Sequence, residues 1–300
     1  MTRPPTGEVR QLDVVTPDGR VLHVHDDGEP GDERVPLLLH HGTPQSALLL
    51  GSQLAAARAR GIRLVGYDRP GYGGSSRQAG RRVADAASDA ATVADALGLD
   101  RFLTSGASGG GPHALACAAR LGDRVAAVAT VAGVAPHDAA GLDWLGGMGD
   151  DNVVEFSAAA AGPDELVPVL ELGRAMMLAA TPETLAEGMA SLLPPADLVA
   201  LRGGIGTWLH DSAVAALAQG HDGWLDDDLA FVQDWGFDLA DVQAPLLVVA
   251  GGQDLMVPVA HGEWLAETVP GASRSIDPDA GHLSLLAGVD AVHGWLLDRW

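Results

Sequence analysis

The stretch Phe102-Leu103-Thr104-Ser105-Gly106-Ala107-Ser108-Gly109-Gly110-Gly111 decides how the rest of the chain is read. An apolar run enters it, a serine stands among small residues, and a helical pattern leaves it from Pro112 to Arg120. Gly106 to Gly110 fits G-x-S-x-G, the spacing of a sharp strand-to-helix bend that holds a nucleophilic serine at its tip. Such a bend forces Ser108 into a strained backbone conformation. It also brings neighbouring chain so close that only residues without bulk fit at Gly106 and Gly110. Alone the pattern is weak, because glycine and serine recur in flexible loops. Its context, a strand before and a helix after, is what the chemistry requires.

Working outward, Val35 to Leu39 and Ile62 to Tyr67 are continuous apolar runs, the mark of strands buried on both faces. The first ends at His40-His41-Gly42-Thr43-Pro44, before a helical pattern over Ser46 to Arg60. The second ends at Asp68-Arg69-Pro70-Gly71-Tyr72-Gly73-Gly74-Ser75, which lacks G-x-G-x-x-G spacing and reads as a tight structural turn. Arg81 to Leu97 carries helical periodicity. Glu8 to Thr16 and Arg20 to His25 alternate around Pro17-Asp18-Gly19 and read as a hairpin of half-exposed strands. Beyond the bend, Val125 to Ala132 is the next buried strand. The strand pattern resumes at Ala244 to Ala250, with a helix over Pro258 to Thr268, a short strand near Ser273 to Ile276 and a last helix from Leu283 to Trp300. Strands alternating with helices predict an α/β fold with a doubly wound, mostly parallel sheet, whose ligands gather at the carboxyl ends of the strands.

The expected organisation is a sheet domain made of residues 1–135 and 242–300, interrupted by a helical insertion at 136–241. The insertion holds nineteen Asp and Glu against Arg174 and Arg202, a net charge of −17. It also holds four of the seven tryptophans (Trp144, Trp208, Trp224, Trp235) and four of the six methionines (Met148, Met176, Met177, Met189). An acidic outer face with an aromatic, adaptable inner face would suit a lid over an apolar pocket.

Composition removes several functions. The formal net charge of −22 repels phosphates and argues against a nucleic-acid partner. All eighteen basic residues are arginine, which excludes Schiff-base chemistry and a phosphate-loop lysine. No metal-binding pattern stands out. His23 and His25 share one face of a strand, but two ligands without a third make a poor metal site, and surface histidines are the better reading. Cys117, the single cysteine, reads as a small apolar residue on a helix and suits a reducing compartment. Met1 to Arg10 lacks the apolar centre of a secretion signal. The longest apolar stretch, Val125 to Ala135, is eleven residues, too short for a transmembrane helix. The expectation is a cytoplasmic protein without membrane span, with oligomeric state left open.

A serine hydroxyl is a weak nucleophile until a histidine removes its proton, and an acid must orient that histidine. Of eleven histidines, His282 in Gly281-His282-Leu283 follows the last strand and precedes the last helix, where a base could reach Ser108. Asp254, in Gly251-Gly252-Gln253-Asp254, follows another strand and completes the chain order Ser…Asp…His. Asp138 is its competitor, one strand earlier. The expected oxyanion donors are the backbone N–H groups of Gly109, at the helix amino end, and Thr43.

With these residues placed, the chain resembles the α/β-hydrolase superfamily, specifically members with a helical cap between sheet strands six and seven. His41-Gly42-Thr43-Pro44 looks like the oxyanion loop, the Asp68 to Ser75 segment is similar to the D-x-R-G-x-G-x-S turn, and Ser108, Asp254 and His282 match the triad sites. Ala107 and Pro70 depart from the commonest pattern without touching the chemistry. The resemblance implies a serine esterase-like hydrolase of small-molecule acyl substrates, with no metal or organic cofactor. Relatives that use an elbow aspartate, the epoxide hydrolases and haloalkane dehalogenases, are disfavoured by Ser108. Three rivals stay open: a proline-type aminopeptidase, with Asp222, Asp226, Asp227 and Asp228 around a substrate ammonium; a cofactor-free perhydrolase or haloperoxidase; and a non-catalytic binding module.

Overall fold

A computed structural model describes residues 8–300. Most of the amino-terminal stretch read above for a secretion signal therefore lies outside the described residues. Eight strands form one sheet: β1 (Arg10–Val15), β2 (Val21–Asp26), β3 (Val35–His40), β4 (Ile62–Tyr67), β5 (Phe102–Ala107), β6 (Val125–Val131), β7 (Leu246–Gly251) and β8 (Ser273–Asp277). Their order is β1-β2-β4-β3-β5-β6-β7-β8. The β1–β2 and β2–β4 pairings are antiparallel, and every pairing from β4 to β8 is parallel.

The apolar runs go where both faces are covered: every residue of β4 is buried, as are Phe102 to Gly106 of β5. On one face Leu37, Leu64 and Leu103 pack against α1 (Gly51–Ala59) and α11 (Val289–Leu297). On the other, Leu38, Val65 and Val128 pack against α2 (Ala86–Ala96), α3 (Gly110–Arg120) and α10 (Val259–Thr268). The outer strands β1 and β8 carry the polar, exposed residues, which discourages edge-to-edge pairing. Between β6 and β7 the chain forms six helices and no strand: α4 (Asp150–Ala161), α5 (Pro163–Ala179), α6 (Leu185–Gly188), α7 (Pro195–Ala200), α8 (Gly206–Leu217) and α9 (Asp222–Phe231). Among the described residues no helix is long and apolar enough to cross a membrane.

Three local expectations fail, each because tertiary contacts take over. The helix expected from Ser46 begins only at Gly51. Ser46 gives its N–H to Ser212 Oγ (3.0 Å) and Ala47 gives its N–H to Asp68 Oδ1 (2.7 Å), so these amides are anchored outside any helix. The last helix divides into a 3₁₀ turn, Ser284–Gly288, whose Ser284 N–H is held by Asp197 Oδ1 at 2.8 Å, and α11. His25 is not a surface histidine. Strand β4 covers β2, leaving His25 only 7% exposed, while His23 turns to Asp13 at 2.8 Å.

Candidate active site

Ser108 sits at the tip of the turn from β5 to α3 with φ of +53°, a left-handed conformation that is strained for a side chain of its kind. Its N–H donates to Val131 O (2.8 Å) and its carbonyl accepts from Gly111 N–H (2.9 Å), which pins the turn from both sides. The flanking glycines are sterically obligatory. A Cβ at Gly106 would stand 2.0 Å from Gly110 O, and one at Gly110 would stand 2.1 Å from His40 O.

Asp254 lies just beyond β7, only 4% exposed. Its Oδ1 accepts the Met256 and Val257 N–H groups, both at 2.8 Å, which leaves Oδ2 directed at His282 Nδ1, also at 2.8 Å. Burial pushes the His282 imidazole down, but the carboxylate of Asp254, and after it that of Asp197, outweighs burial and holds the pKa above the ordinary value of 6.5. The competitor Asp138 lies exposed in the turn after β6. Geometry thus brings His282 together with Asp254 rather than with Asp138.

The loop after β3 lies directly against the bend. A Cβ at Gly42 would fall 3.5 Å from the Ser108 Cβ, and one at Gly109 would fall 2.4 Å from Thr43 Oγ1. The two amides expected to receive an oxyanion therefore belong to neighbouring residues in space. What holds this loop escaped the sequence. Arg69 donates to the His41 carbonyl, to Gly42 O (3.1 Å) and to Thr43 Oγ1 (3.0 Å), and its own N–H goes to His41 Nε2 (2.9 Å).

Behind Arg69 stands Asp227 of the inserted helix α9. It receives Arg69 Nη2 (2.6 Å), Arg81 Nη1 (2.5 Å), Tyr72 OH (2.9 Å) and Thr43 Oγ1 (2.7 Å). Burial alone would raise its carboxyl, yet Arg69 and Arg81 hold it well below the usual range. The aminopeptidase alternative places Asp222, Asp226, Asp227 and Asp228 around a substrate ammonium. In the fold Asp226, Asp227 and Asp228 are buried, Arg77 pairs with Asp222 and Asp226, and none of the four lines the cavity described below. Burial pushes Asp228 well above its usual range, with Glu155 beside it adding to the rise. Nothing in a run of three aspartates distinguishes a solvated turn from a buried helix face.

Ser108, His282, Thr43 and Gly109 open onto one cavity of about 620 Å³. Its walls come both from the segment between β6 and β7, with Met177, Leu185, Met189, Trp224 and Phe231, and from the sheet-end loops, with Val257 and Leu283. Trp144, Trp235 and Met148 instead sit in the core. Among the described lining residues there is no arginine, while Asp151, Glu155 and Glu187 contribute acid. Among the described residues no three metal-ligating side chains stand together.

The family model of the alpha/beta hydrolase fold matches residues 35–289. The chain belongs to the α/β-hydrolase family. It is similar to a protein named as the carbamate hydrolase RutD of Caulobacter sp. (strain K31), with 29% identity over 292 residues, 94% of this chain and 96% of the relative. It is also similar to a non-heme haloperoxidase of Rhodococcus erythropolis, with 28% identity over 87% of this chain and 90% of the relative. Among solved structures a thermophilic esterase from Thermogutta terrifontis superposes with a TM-score of 0.68 at 22% identity, covering 97% of this chain and 99% of that one. That likeness speaks for the fold. This α/β-hydrolase is thus a hydrolase with a carbamate hydrolase and a haloperoxidase among its relatives.

Proposed function

We propose that this α/β-hydrolase cleaves a carboxylic ester or related acyl bond of a small apolar molecule through an acyl-enzyme on Ser108, with residues 136–241 acting as a cap. The observation that carries the reading is that Ser108 and His282 line one cavity while Asp254 binds the His282 ring at 2.8 Å. With Nδ1–H donated to Asp254, Nε2 is left as the acceptor for the Ser108 proton. The Oγ attacks the acyl carbon, and the N–H groups of Gly109 and Thr43 receive the oxyanion. His282 then protonates the leaving alkoxide. A water deprotonated by His282 attacks the acyl-enzyme, the Ser108 oxygen leaves with that proton, and the acid is released. The apolar, arginine-free lining favours an uncharged or weakly cationic substrate.

A second reading, cofactor-free perhydrolysis, is favoured by the haloperoxidase relative. In it, peroxide rather than water takes the acyl group from Ser108. The aminopeptidase reading loses its support, since none of the four acids it invoked lines the cavity. A fluorophosphonate probe with mass mapping, alongside Ser108→Ala, tests the mechanism. Labelling confined to Ser108 and loss of hydrolysis in the variant are expected. Labelling elsewhere, or unchanged turnover, would overturn it. A panel of esters, lactones, carbamates and aminoacyl amides, assayed with and without peroxide, separates the two readings.

A further inference from the structure

We propose that Asp197, on the inserted helix α7, is a positioning residue that fixes the loop of the base His282 and so couples the inserted helices to the reaction. The inference rests on the reading of His282 as the base. Asp197 is fully buried, and its two carboxylate oxygens are spent on the backbone of that loop. Oδ2 accepts the His282 N–H and Oδ1 accepts the Ser284 N–H, each at 2.8 Å. Hydrogen bonds from neutral amides to an ionised acceptor are the strong class. Among the described residues Asp197 makes no ion pair, so these two amides are its principal compensation for burial.

The fit is tight enough to have selected the residue beside the base. A Cβ at Gly281 would stand 2.6 Å from both Asp197 oxygens and 2.6 Å from Pro194 Cγ. One residue further on, Leu283 packs with Leu185, Leu193 and Leu209 of the insertion. His282 is therefore clamped twice: Asp254, from the loop after β7, holds the ring, and Asp197, from the insertion, holds the backbone. These are also the two charged groups that act on its imidazole. Displacing α7 would strip two amides of their acceptor and free the base to drift. A misplacement of about 1 Å can cost roughly 100-fold in rate.

The test compares Asp197→Asn with His282→Ala and wild type on one neutral ester. Asp197 does not line the cavity, so KM should stay within about twofold while kcat falls about 10- to 100-fold. The acid limb of kcat/KM should move to lower pH, because one negative charge has left the neighbourhood of the base. A merely structural role would lower the folded fraction and leave kcat per folded enzyme at the wild-type value, whereas the acid limb moves with the lost charge in either case. Folded Asp197→Asn with wild-type kcat overturns the inference, wherever its acid limb lies. An active His282→Ala would instead sink the reading of the base itself. Should the variant fail to fold, hydrogen exchange on wild type decides. The His282 and Ser284 amides should be protected and open together with residues 195–200, and fast, independent exchange refutes the clamp.

Discussion

Replacing Asp227 by Asn isolates the ionic centre that joins helix α9 to the loop after β3. In the folded protein Asp227 is fully buried and compensates two buried guanidinium groups, Arg69 and Arg81, whose side chains are 1% and 3% exposed. Asparagine keeps the shape but removes the charge, and its amide group turns donors toward donors. Breaking a buried pair by removing one partner costs about 3–5 kcal/mol, because the remaining charge stays desolvated. Unfolding entropy of about 2.1 cal/mol/K per residue amounts to roughly 0.6 kcal/mol/K for a chain of this length, so the Tm should fall by about 5–8 °C.

The pH dependence follows from sign. The folded carboxyl lies well below its ordinary value of 3.8, so its stabilisation is fully present above that value and is lost only as pH falls toward the folded pKa. The gap between variant and wild type should therefore be constant from about pH 5 to 8 and close only below about pH 4. Differential scanning calorimetry across that range is the assay. A Tm drop under about 2 °C, or a gap that closes already between about pH 5 and 8, would refute the reasoning.

Three further outcomes follow from the site. Asp254→Asn should lower kcat by about 10⁴, through loss of the correct His282 tautomer, whereas Asp138→Asn should leave kcat within about threefold; the reverse order would reassign the acid. In the proposed mechanism His282 acts in its neutral form, and its pKa is raised, so the acid limb of kcat/KM should have its midpoint above 6.5; a midpoint below that value would contradict the charge balance around the ring. Burial, with Glu155 beside it, raises the Asp228 carboxyl well above its ordinary value of 3.8, so the cost of burying it grows as pH rises above that value. Asp228→Asn should therefore raise the Tm at about pH 8 more than at about pH 5, and equal or negative shifts would show that burial is not what perturbs it.

The sequence by itself determined the α/β pattern, the bend at Ser108 and the chain order of Ser108, Asp254 and His282. These are largely local properties: apolar runs mark buried strands, and the glycine at 106 records a steric limit set by Gly110 within the same bend, whereas the limit at Gly110 comes from His40 on the neighbouring strand. Chain order favoured Asp254 over Asp138 as the partner of His282, and the tertiary structure supplies the contact itself. Asp138 and Asp254 both follow strands, but only Asp254 is turned inward by the Met256 and Val257 amides. The tertiary structure also decided where the acidic residues of the segment between β6 and β7 lie. A composition of net −17 suggested an acidic exterior, yet Asp197 and Asp227 are among its most deeply buried side chains, fixing the loops of His282 and Thr43 from 85 and 184 residues away. Charge count carries no information about burial. A carboxylate goes inside wherever distant amides or guanidinium groups can satisfy it, and their positions exist only once the chain has folded.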